Sequence, residues 1–271
     1  MRSGLSVLDF LWLGREQWMG YSHPLIRVFI RWLGPLGVHT RIRSAHTLRV
    51  IEQISLPSRA RVLDAGCGHA YVSFYLARRH ADWEIFGIDI DAEKIEQNRR
   101  VARALGFRNL HFEIGDVADL NASTPYDLIF SIDVLEHIKD DVAVLSKWRQ
   151  AISETGWLIL HLPLRHQMQR RIFPGFAQHI IADHVRDEYT AEEIETKLVL
   201  AGFALISIDY GFSLWGELSF ELNNLCWQQP RLRMLLALLT FPPAILMGYV
   251  DSRFSWDWGN SLIIQARPSG V

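Results

Sequence analysis

Cysteine is scarce in this sequence, and it has neither a long apolar run nor an excess of one charge. The two cysteines, Cys67 and Cys226, are too few for a disulfide framework and favour a reducing compartment. The formal net charge of -2 gives no reason to expect nucleic acid as a partner. The longest uncharged run, 234–250, is shorter than the roughly 20 residues of a membrane-spanning helix. It is also expected to be broken at Pro242-Pro243, so we expect a cytoplasmic protein without a spanning helix or cleavable signal.

A glycine-broken turn follows the first predicted strand. Val62 and Leu63 are predicted to end this buried strand, residues 64–70 to form the turn, and an apolar stripe from Val72 to begin a helix. Glycine lets backbone approach a ligand closely, and the start of a helix offers N–H groups without intrahelical partners. The stretch therefore predicts a ligand-binding site.

Two cofactor classes use a turn of this kind. A dinucleotide site requires G-x-G-x-x-G, and Tyr71 occupies the position of the third glycine, which disfavours a dehydrogenase. The stretch instead resembles motif I of class I S-adenosylmethionine (SAM) dependent methyltransferases, D-x-G-x-G-x-G, with Ala70 in place of the last glycine. This resemblance covers 60–210 and 258–267, and it implies SAM as the cofactor.

Strands and helices alternate from Val62 onwards, which is typical of a parallel sheet with helices on both faces. The later strands are predicted over 84–88, 110–114, 126–132, 157–162, 203–210 and 261–267. A helix capped by Asp91 is predicted after the second strand, and Gly156 is expected to end the helix before the fifth. The resemblance implies a doubly wound α/β sheet of seven strands with the last one antiparallel.

Four segments are predicted along the chain. They are a helical N-terminal cap over 1–57, a SAM-binding Rossmann-like core over 58–210, a hydrophobic helical insertion over 211–257, and the final strand and tail over 258–271. Because the insertion follows the sixth strand, whose end should lie at the ligand edge of the sheet, we expect it to form a helical hairpin over the acceptor pocket.

Aspartates stand at the ends of three successive predicted strands. Ligands of open α/β sheets bind outside the carboxyl ends of the strands, so these side chains are expected to lie along one edge. The resemblance implies that Asp64 holds the methionine part of SAM, Asp89 the ribose hydroxyls and Asp116 the adenine amino group. The implied cofactor-binding residues are Asp64, Gly66, Cys67, Gly68, Asp89, Ile90, Asp116, Val117 and Ser131.

A hydroxyl acceptor would be helped by a general base. Alignment can lower the barrier by about 7–11 kcal/mol, whereas a base adds roughly 10²–10⁴-fold in rate, so alignment is the larger effect. Several histidines lie near the relevant strand ends, namely His137, His161, His166, His179 and His184. The segment 184–190 resembles the stretch before the sixth helix of small-molecule methyltransferases, which makes His184 the first candidate and His161 the second. The histidine spacing indicates no metal site.

The apolar N-terminal and insertion segments allow two explanations. They could bury each other as a lid, or across a homodimer interface, with arginine side chains reaching solvent. They could instead contact the inner face of a membrane. The membrane version is favoured by residues 24–34, which are nearly all apolar except Arg27 and Arg31, and by nine arginines against three acidic residues in 1–61.

The predicted function is SAM-dependent methylation of a lipophilic small molecule, with oxygen favoured over nitrogen and carbon. The segment after the fourth strand, 131–137, lacks the Asn/Asp-Pro-Pro-aromatic element of enzymes that methylate amino groups of nucleobases or glutamine. The alternative is a non-catalytic SAM-fold module in a membrane assembly, which the three intact aspartates disfavour.

Overall fold

The computed structural model describes residues 5–35, 37–120, 124–164, 188–228 and 233–270. In this part of the chain a single seven-stranded sheet has the order β3-β2-β1-β4-β5-β7-β6. The strands are β1 Arg61–Ala65, β2 Glu84–Asp89, β3 Leu110–Ile114, β4 Tyr126–Ile132, β5 Ile152–Pro163, β6 Phe203–Gly211 and β7 Ser261–Pro268. The first five strands are parallel to one another, and β7 runs antiparallel to both β5 and β6. The predicted α/β fold with an antiparallel last strand is therefore confirmed.

Helices cover both faces of this sheet. They are α1 Val7–Trp12, α2 Pro24–Leu33, α3 Val38–Ile51, α4 Tyr71–Arg79, α5 Ala92–Leu105, α6 Asp141–Ala151, α7 Ala191–Leu200, α8 Leu214–Gln228 and α9 Arg233–Arg253. The local signals act as predicted at α5, where the Asp91 side chain accepts from two backbone N–H groups and Gly106 ends the helix at φ 76°.

The prediction for Gly156 was wrong. The helix α6 ends at Ala151, and Ile152 already pairs with Tyr126 of β4, so Gly156 lies inside β5. The register of this pair shifts between Tyr126 and Leu128, so the start of β5 is irregular. A glycine inside a strand marks such an irregularity as readily as it marks a helix end.

The two faces of the sheet are buried in separate apolar layers. Val62 of β1 packs into the layer that includes side chains of α3, α4 and α5, whereas its neighbour Leu63 packs into the layer with α6 and α7. Successive side chains of a strand point to opposite faces, so a strand covered on both sides has to be apolar throughout. Burying one such side chain contributes about 1.5–3 kcal/mol.

The insertion forms two helices, α8 and α9, which pack against each other and against α3. None of the described residues that line the large cavity at the strand ends comes from 211–257, and the expectation that the insertion lies over the acceptor pocket stays a prediction. The expected break at Pro242-Pro243 was wrong, since α9 continues through both prolines. Packing against α8 and α3 supports the helix where proline removes backbone hydrogen bonds. None of the described helices is long and apolar enough to cross a membrane.

The N-terminal helices are fastened to the core by polar contacts as well as apolar ones. The side-chain amide of Gln17 donates to the side chain of Asn98 and to the carbonyl of His69, both at 2.7 Å. The helix α3 packs along β4, β5 and β7, and its side chains form one wall of the cavity at the strand ends. The N-terminal segment thus contributes directly to the candidate site.

Candidate cofactor and acceptor site

The turn after β1 depends on glycine for two different reasons. Gly66 has φ +80°, and a Cβ at this position would lie 2.4 Å from Cγ2 of Val134. Gly68 has φ +50°, but a Cβ there would meet nothing within 4 Å, so its backbone borders open space. Ala70, in the place of the third motif glycine, also adopts a left-handed conformation with φ 54°, directly before α4. The turn therefore keeps its shape despite the substitution and leaves room for a ligand at Gly68.

The three aspartates predicted at the strand ends line one cavity of about 680 Å³. Every predicted cofactor residue except Ser131 lines this cavity, namely Asp64, Gly66, Cys67, Gly68, Asp89, Ile90, Asp116 and Val117. Ser131 lies below it, where its hydroxyl donates to the carbonyl of Ala65 at 2.7 Å. At the end of β4 the cavity is instead lined by Ile132 and by the residues that follow it.

Asp89 connects the glycine turn to the second strand. Its Oδ2 accepts from the backbone N–H of Gly68 at 2.7 Å, and its Oδ1 accepts from that of Asp91 at 2.9 Å. An ionised carboxylate has about four acceptor positions, so two remain for hydroxyl groups of a ligand. The arrangement fits a ribose, whose neighbouring hydroxyls both donate to one carboxylate.

Asp64 is a buried carboxylate that would be stabilised by a cation. The hydroxyl of Ser73 donates to its Oδ2 at 2.5 Å. Burial, and secondarily the nearby charge of Asp89, raise the pKa of Asp64 to about 7 even though the Ser73 hydrogen bond lowers it. An ammonium or sulfonium group in the cavity would favour the ionised form, so the residues present fit the amino-acid part of SAM.

Asp133, which follows β4, faces the cavity between a histidine and an arginine. Its Oδ1 lies 2.6 Å from Nδ1 of His161, and its Oδ2 is paired with the guanidinium of Arg43. Burial alone would raise the pKa of Asp133, but His161 and Arg43 hold it below its ordinary value. Since an ionised carboxylate can only accept, Nδ1 of His161 carries the proton in this contact. Asp133 also has φ 51°, a strained conformation for a residue with a side chain.

The structure describes only one of the two histidines that the sequence suggested as a base. His161 is 1% exposed and does not line the cavity, so it reaches the site through Asp133. His184 lies outside the described residues. The histidines that do line the described cavity are His69, from the glycine turn, and His137.

Sequence reasoning missed the wall that α3 contributes. Thr40, Arg43 and Ser44 line the cavity opposite the strand ends, and Arg43 pairs with Asp133 from ninety residues away in the chain. The only available signal was the presence of arginines in a largely buried helix. That signal does not indicate which side of the core an arginine faces.

Comparison with known proteins shows that this chain is similar to methyltransferases. Residues 56–199 match a family model described as a methyltransferase domain. A trans-aconitate 2-methyltransferase of Methylobacterium nodulans is 28% identical over 49% of this chain and 52% of its own length. A ubiquinone biosynthesis O-methyltransferase of Xylella fastidiosa is 31% identical over 48% of this chain and 53% of its own length. The chain therefore spans about half of the length of these curated relatives.

A solved structure extends the likeness beyond the matched domain. Coclaurine N-methyltransferase, bound to N-methylheliamine and SAH, superposes with a TM-score of 0.58 over 87% of this chain and 71% of that one. The sequence identity is 15%, so this likeness concerns the fold alone.

Proposed function

Because the chain belongs to the family of class I SAM-dependent methyltransferases, we propose that it transfers a methyl group from SAM to a lipophilic small molecule, with oxygen as the methylated atom. The observation that carries the proposal is the meeting of the glycine turn and three strand-end aspartates in one cavity. Oxygen is favoured by the 31% identical relative, which is an O-methyltransferase of ubiquinone biosynthesis.

The residues would divide the work of holding the cofactor among the strand ends. Asp64 and the backbone of 66–68 would bind the amino-acid part, Asp89 the ribose, and Asp116 with Val117 the adenine. SAM supplies a methyl group on a sulfonium, which is already activated for displacement. The protein therefore contributes chiefly by alignment and by excluding water, and alignment can lower the barrier by about 7–11 kcal/mol.

The acceptor would lie between α3 and the end of β4. Asp133 lines the cavity there, and its contacts with His161 and Arg43 fix the carboxylate in place. We assign Asp133 the role of accepting the hydrogen bond and then the proton of the acceptor hydroxyl, and His161 that of positioning the Asp133 carboxylate. His184 remains a proposed base from sequence.

Binding of SAM should depend on pH through Asp64. Its pKa of about 7 means that the carboxyl is mostly protonated at pH 6 and mostly ionised at pH 8. The ionised form favours the cationic ligand, so the dissociation constant of SAM should be about tenfold higher at pH 6 than at pH 8. The pKa of His69, which also lines the cavity, is lowered by burial, so that ring should contribute less over this range.

Titration calorimetry at both pH values, in buffers of different ionisation enthalpy, would measure this affinity and the protons released on binding. Asp64→Asn should bind SAM weakly at both pH values and release no proton. A wild-type affinity that is the same at pH 6 and pH 8 would contradict the role given to Asp64.

The proposed activity can be tested with methyl-labelled SAM and a panel of phenolic, carboxylic and amine lipids. The label is expected in a product that forms from a hydroxyl group of the lipid and can be extracted into organic solvent. Asp133→Asn should lower that rate by about 10²–10⁴-fold while leaving the dissociation constant of SAM nearly unchanged. Asp209→Asn is the matched control, because Asp209 pairs with Arg49 at 3.1 Å and does not line the cavity. SAM binding without transfer to any compound in the panel would instead favour the non-catalytic module.

A further inference from the structure

One face of α2 is apolar and open to solvent. Leu25, Val28 and Trp32 are 74%, 58% and 68% exposed. Their spacing of three and four residues places them on one side of the helix, which we call the α2 outer face. Ile30, on the opposite side, is 3% exposed, and the adjacent Phe29 contacts Phe241 of α9 with ring centroids 6.0 Å apart. The helix thus packs with one side and leaves its other apolar side without a cover among the described residues.

A second cavity, of about 380 Å³, lies beside this face. We call it the Arg/Trp cavity, because three arginines and three tryptophans line it together with Glu16 and Leu105. These residues are Arg15, Arg31, Arg78, Trp12, Trp18 and Trp32. Trp32 belongs both to the cavity and to the α2 outer face, so the two features form one continuous surface.

Two arginines of this cavity contact aromatic rings, and the charge of the three is only partly neutralised. The guanidinium of Arg15 lies 4.6 Å from the ring centroid of Trp12, and that of Arg31 lies 5.4 Å from the ring centroid of Trp18. Glu16 is bonded to Arg78, and its carboxylate is 4.0 Å from Arg15. Among the described residues no carboxylate pairs with Arg31. The cavity is therefore lined by three guanidinium groups and one carboxylate, which gives it a positive charge.

The neighbouring arginine strengthens this charge. The guanidinium of Arg27 lies 4.8 Å from the ring centroid of Trp18, the same ring that Arg31 contacts. In the described part of the chain Arg27 pairs with no carboxylate. Arg27 and Arg31 lie one turn apart on α2 and contact the same ring, so they form a basic stripe next to the α2 outer face. Their contact with Trp18 keeps them beside the α2 outer face rather than extended into bulk solvent.

We infer that the Arg/Trp cavity binds the phosphate of an anionic phospholipid while the α2 outer face enters the acyl layer of the same bilayer. A guanidinium can donate two parallel hydrogen bonds to phosphate oxygens, and tryptophan favours the headgroup level of a membrane. An exposed aliphatic stripe bordered by cations is the composition of a helix that lies in the membrane interface. A nucleic acid would use the charge but leave Leu25 and Val28 exposed to water.

This inference rests on the proposed function, because a lipophilic acceptor is most concentrated in the bilayer. Phe29 of α2 contacts Phe241 of α9, so the cap and the insertion pack against each other next to the α2 outer face. A membrane at the α2 outer face would therefore contact the cap, whose helix α3 forms the acceptor wall.

Co-sedimentation with vesicles tests the inference on the full chain. Wild-type protein should bind vesicles of equal parts phosphatidylcholine and phosphatidylglycerol much more tightly than phosphatidylcholine alone. The double substitution Arg15→Gln with Arg31→Gln should weaken binding to the anionic vesicles by about 30-fold, at about fivefold per arginine. Arg59→Gln with Arg253→Gln removes two exposed arginines that do not line the Arg/Trp cavity, and it should weaken binding less than threefold. Leu25→Gln with Val28→Gln should weaken binding to both vesicle types.

The possible outcomes separate this inference from the proposed function. Equal weakening by the two arginine pairs, or no binding of wild-type protein to anionic vesicles, would overturn the headgroup site. A dimer in light scattering that Leu25→Gln with Val28→Gln dissociates would also overturn it, since a second copy would then cover the α2 outer face. Calorimetry with SAM on each variant reports the fold and the cofactor site independently. If wild-type protein did not bind SAM, the proposed function would be wrong. Binding to anionic vesicles would still support the headgroup site.

Discussion

Asp89→Ala is expected to weaken SAM binding by at least about a hundredfold. Two ribose hydroxyls would lose a charged acceptor, and a hydrogen bond to a charged group is worth about 1.5–3 kcal/mol. The substitution also removes the acceptor for the N–H groups of Gly68 and Asp91, at 2.7 and 2.9 Å, so the glycine turn would lose one of its fixed points. Titration calorimetry at pH 8 measures the effect while Asp64 is mostly ionised.

Asp140→Ala is the matched control for this experiment. The carboxylate of Asp140 also accepts a backbone N–H, that of Ala143 at 3.1 Å, but it caps α6 and does not line the cavity. This variant should lose about 1 kcal/mol of stability and none of its affinity for SAM. Asp89→Asn should fall between wild type and Asp89→Ala, since it keeps one acceptor oxygen without the charge. Wild-type affinity in Asp89→Ala would mean that the ribose does not lie at the end of β2.

The cofactor side of the site could be predicted because it depends on local signals and on one property of sheets. Asp64, Asp89 and Asp116 each lie at or just after the end of a strand that is apolar enough to recognise from sequence. The carboxyl ends of parallel strands meet at one edge, so finding the strands is enough to bring these side chains together. Their common cavity needed no knowledge of how distant segments dock.

The acceptor side could not be predicted, because its contacts join segments that are far apart in the chain. Arg43 meets Asp133 only because α3 docks across β4 and β5, and no local pattern determines that orientation. His161 was chosen as a residue near a strand end, but its ring points toward Asp133 and is buried. Periodicity identifies which side of a strand or helix is apolar. It does not determine which polar side chain at a strand end reaches the cavity.

The insertion shows that a strong local signal can also predict a feature that tertiary packing prevents. Pro242 and Pro243 are strong local signals for a break, yet α9 continues through them because it is packed along α8 and α3. A proline costs an isolated helix about 3 kcal/mol or more, and tertiary burial of a helix as long as α9 can exceed that cost. Local signals therefore predicted the cofactor turn well and predicted the path of this helical hairpin poorly.

Asp251→Ala is expected to lower the free energy of unfolding by about 3–5 kcal/mol, because several buried donors would lose one charged acceptor and each unsatisfied donor costs about 1–3 kcal/mol. The carboxylate of Asp251 lies 3.1 Å from Nε2 of His46 on α3. It also accepts the backbone N–H groups of Phe212, Ser213 and Gly216 at 3.0, 2.9 and 3.1 Å. One side chain near the end of α9 thus holds the start of α8 and the middle of α3. Urea unfolding, with the slope compared to wild type, measures the loss.

Asp119→Ala provides the contrast, because Asp119 pairs with Lys147 at 3.2 Å with its side chain 83% exposed. Such a surface pair contributes about 0–1 kcal/mol, so the two variants should differ by several-fold in lost stability. Asp251→Ala should disturb the acceptor side of the cavity more than the cofactor side. His46 and Arg43 lie one turn apart on α3, and Arg43 orients Asp133 in the cavity. If Asp251→Ala unfolded no more easily than Asp119→Ala, the insertion would not be what holds the acceptor wall against the sheet.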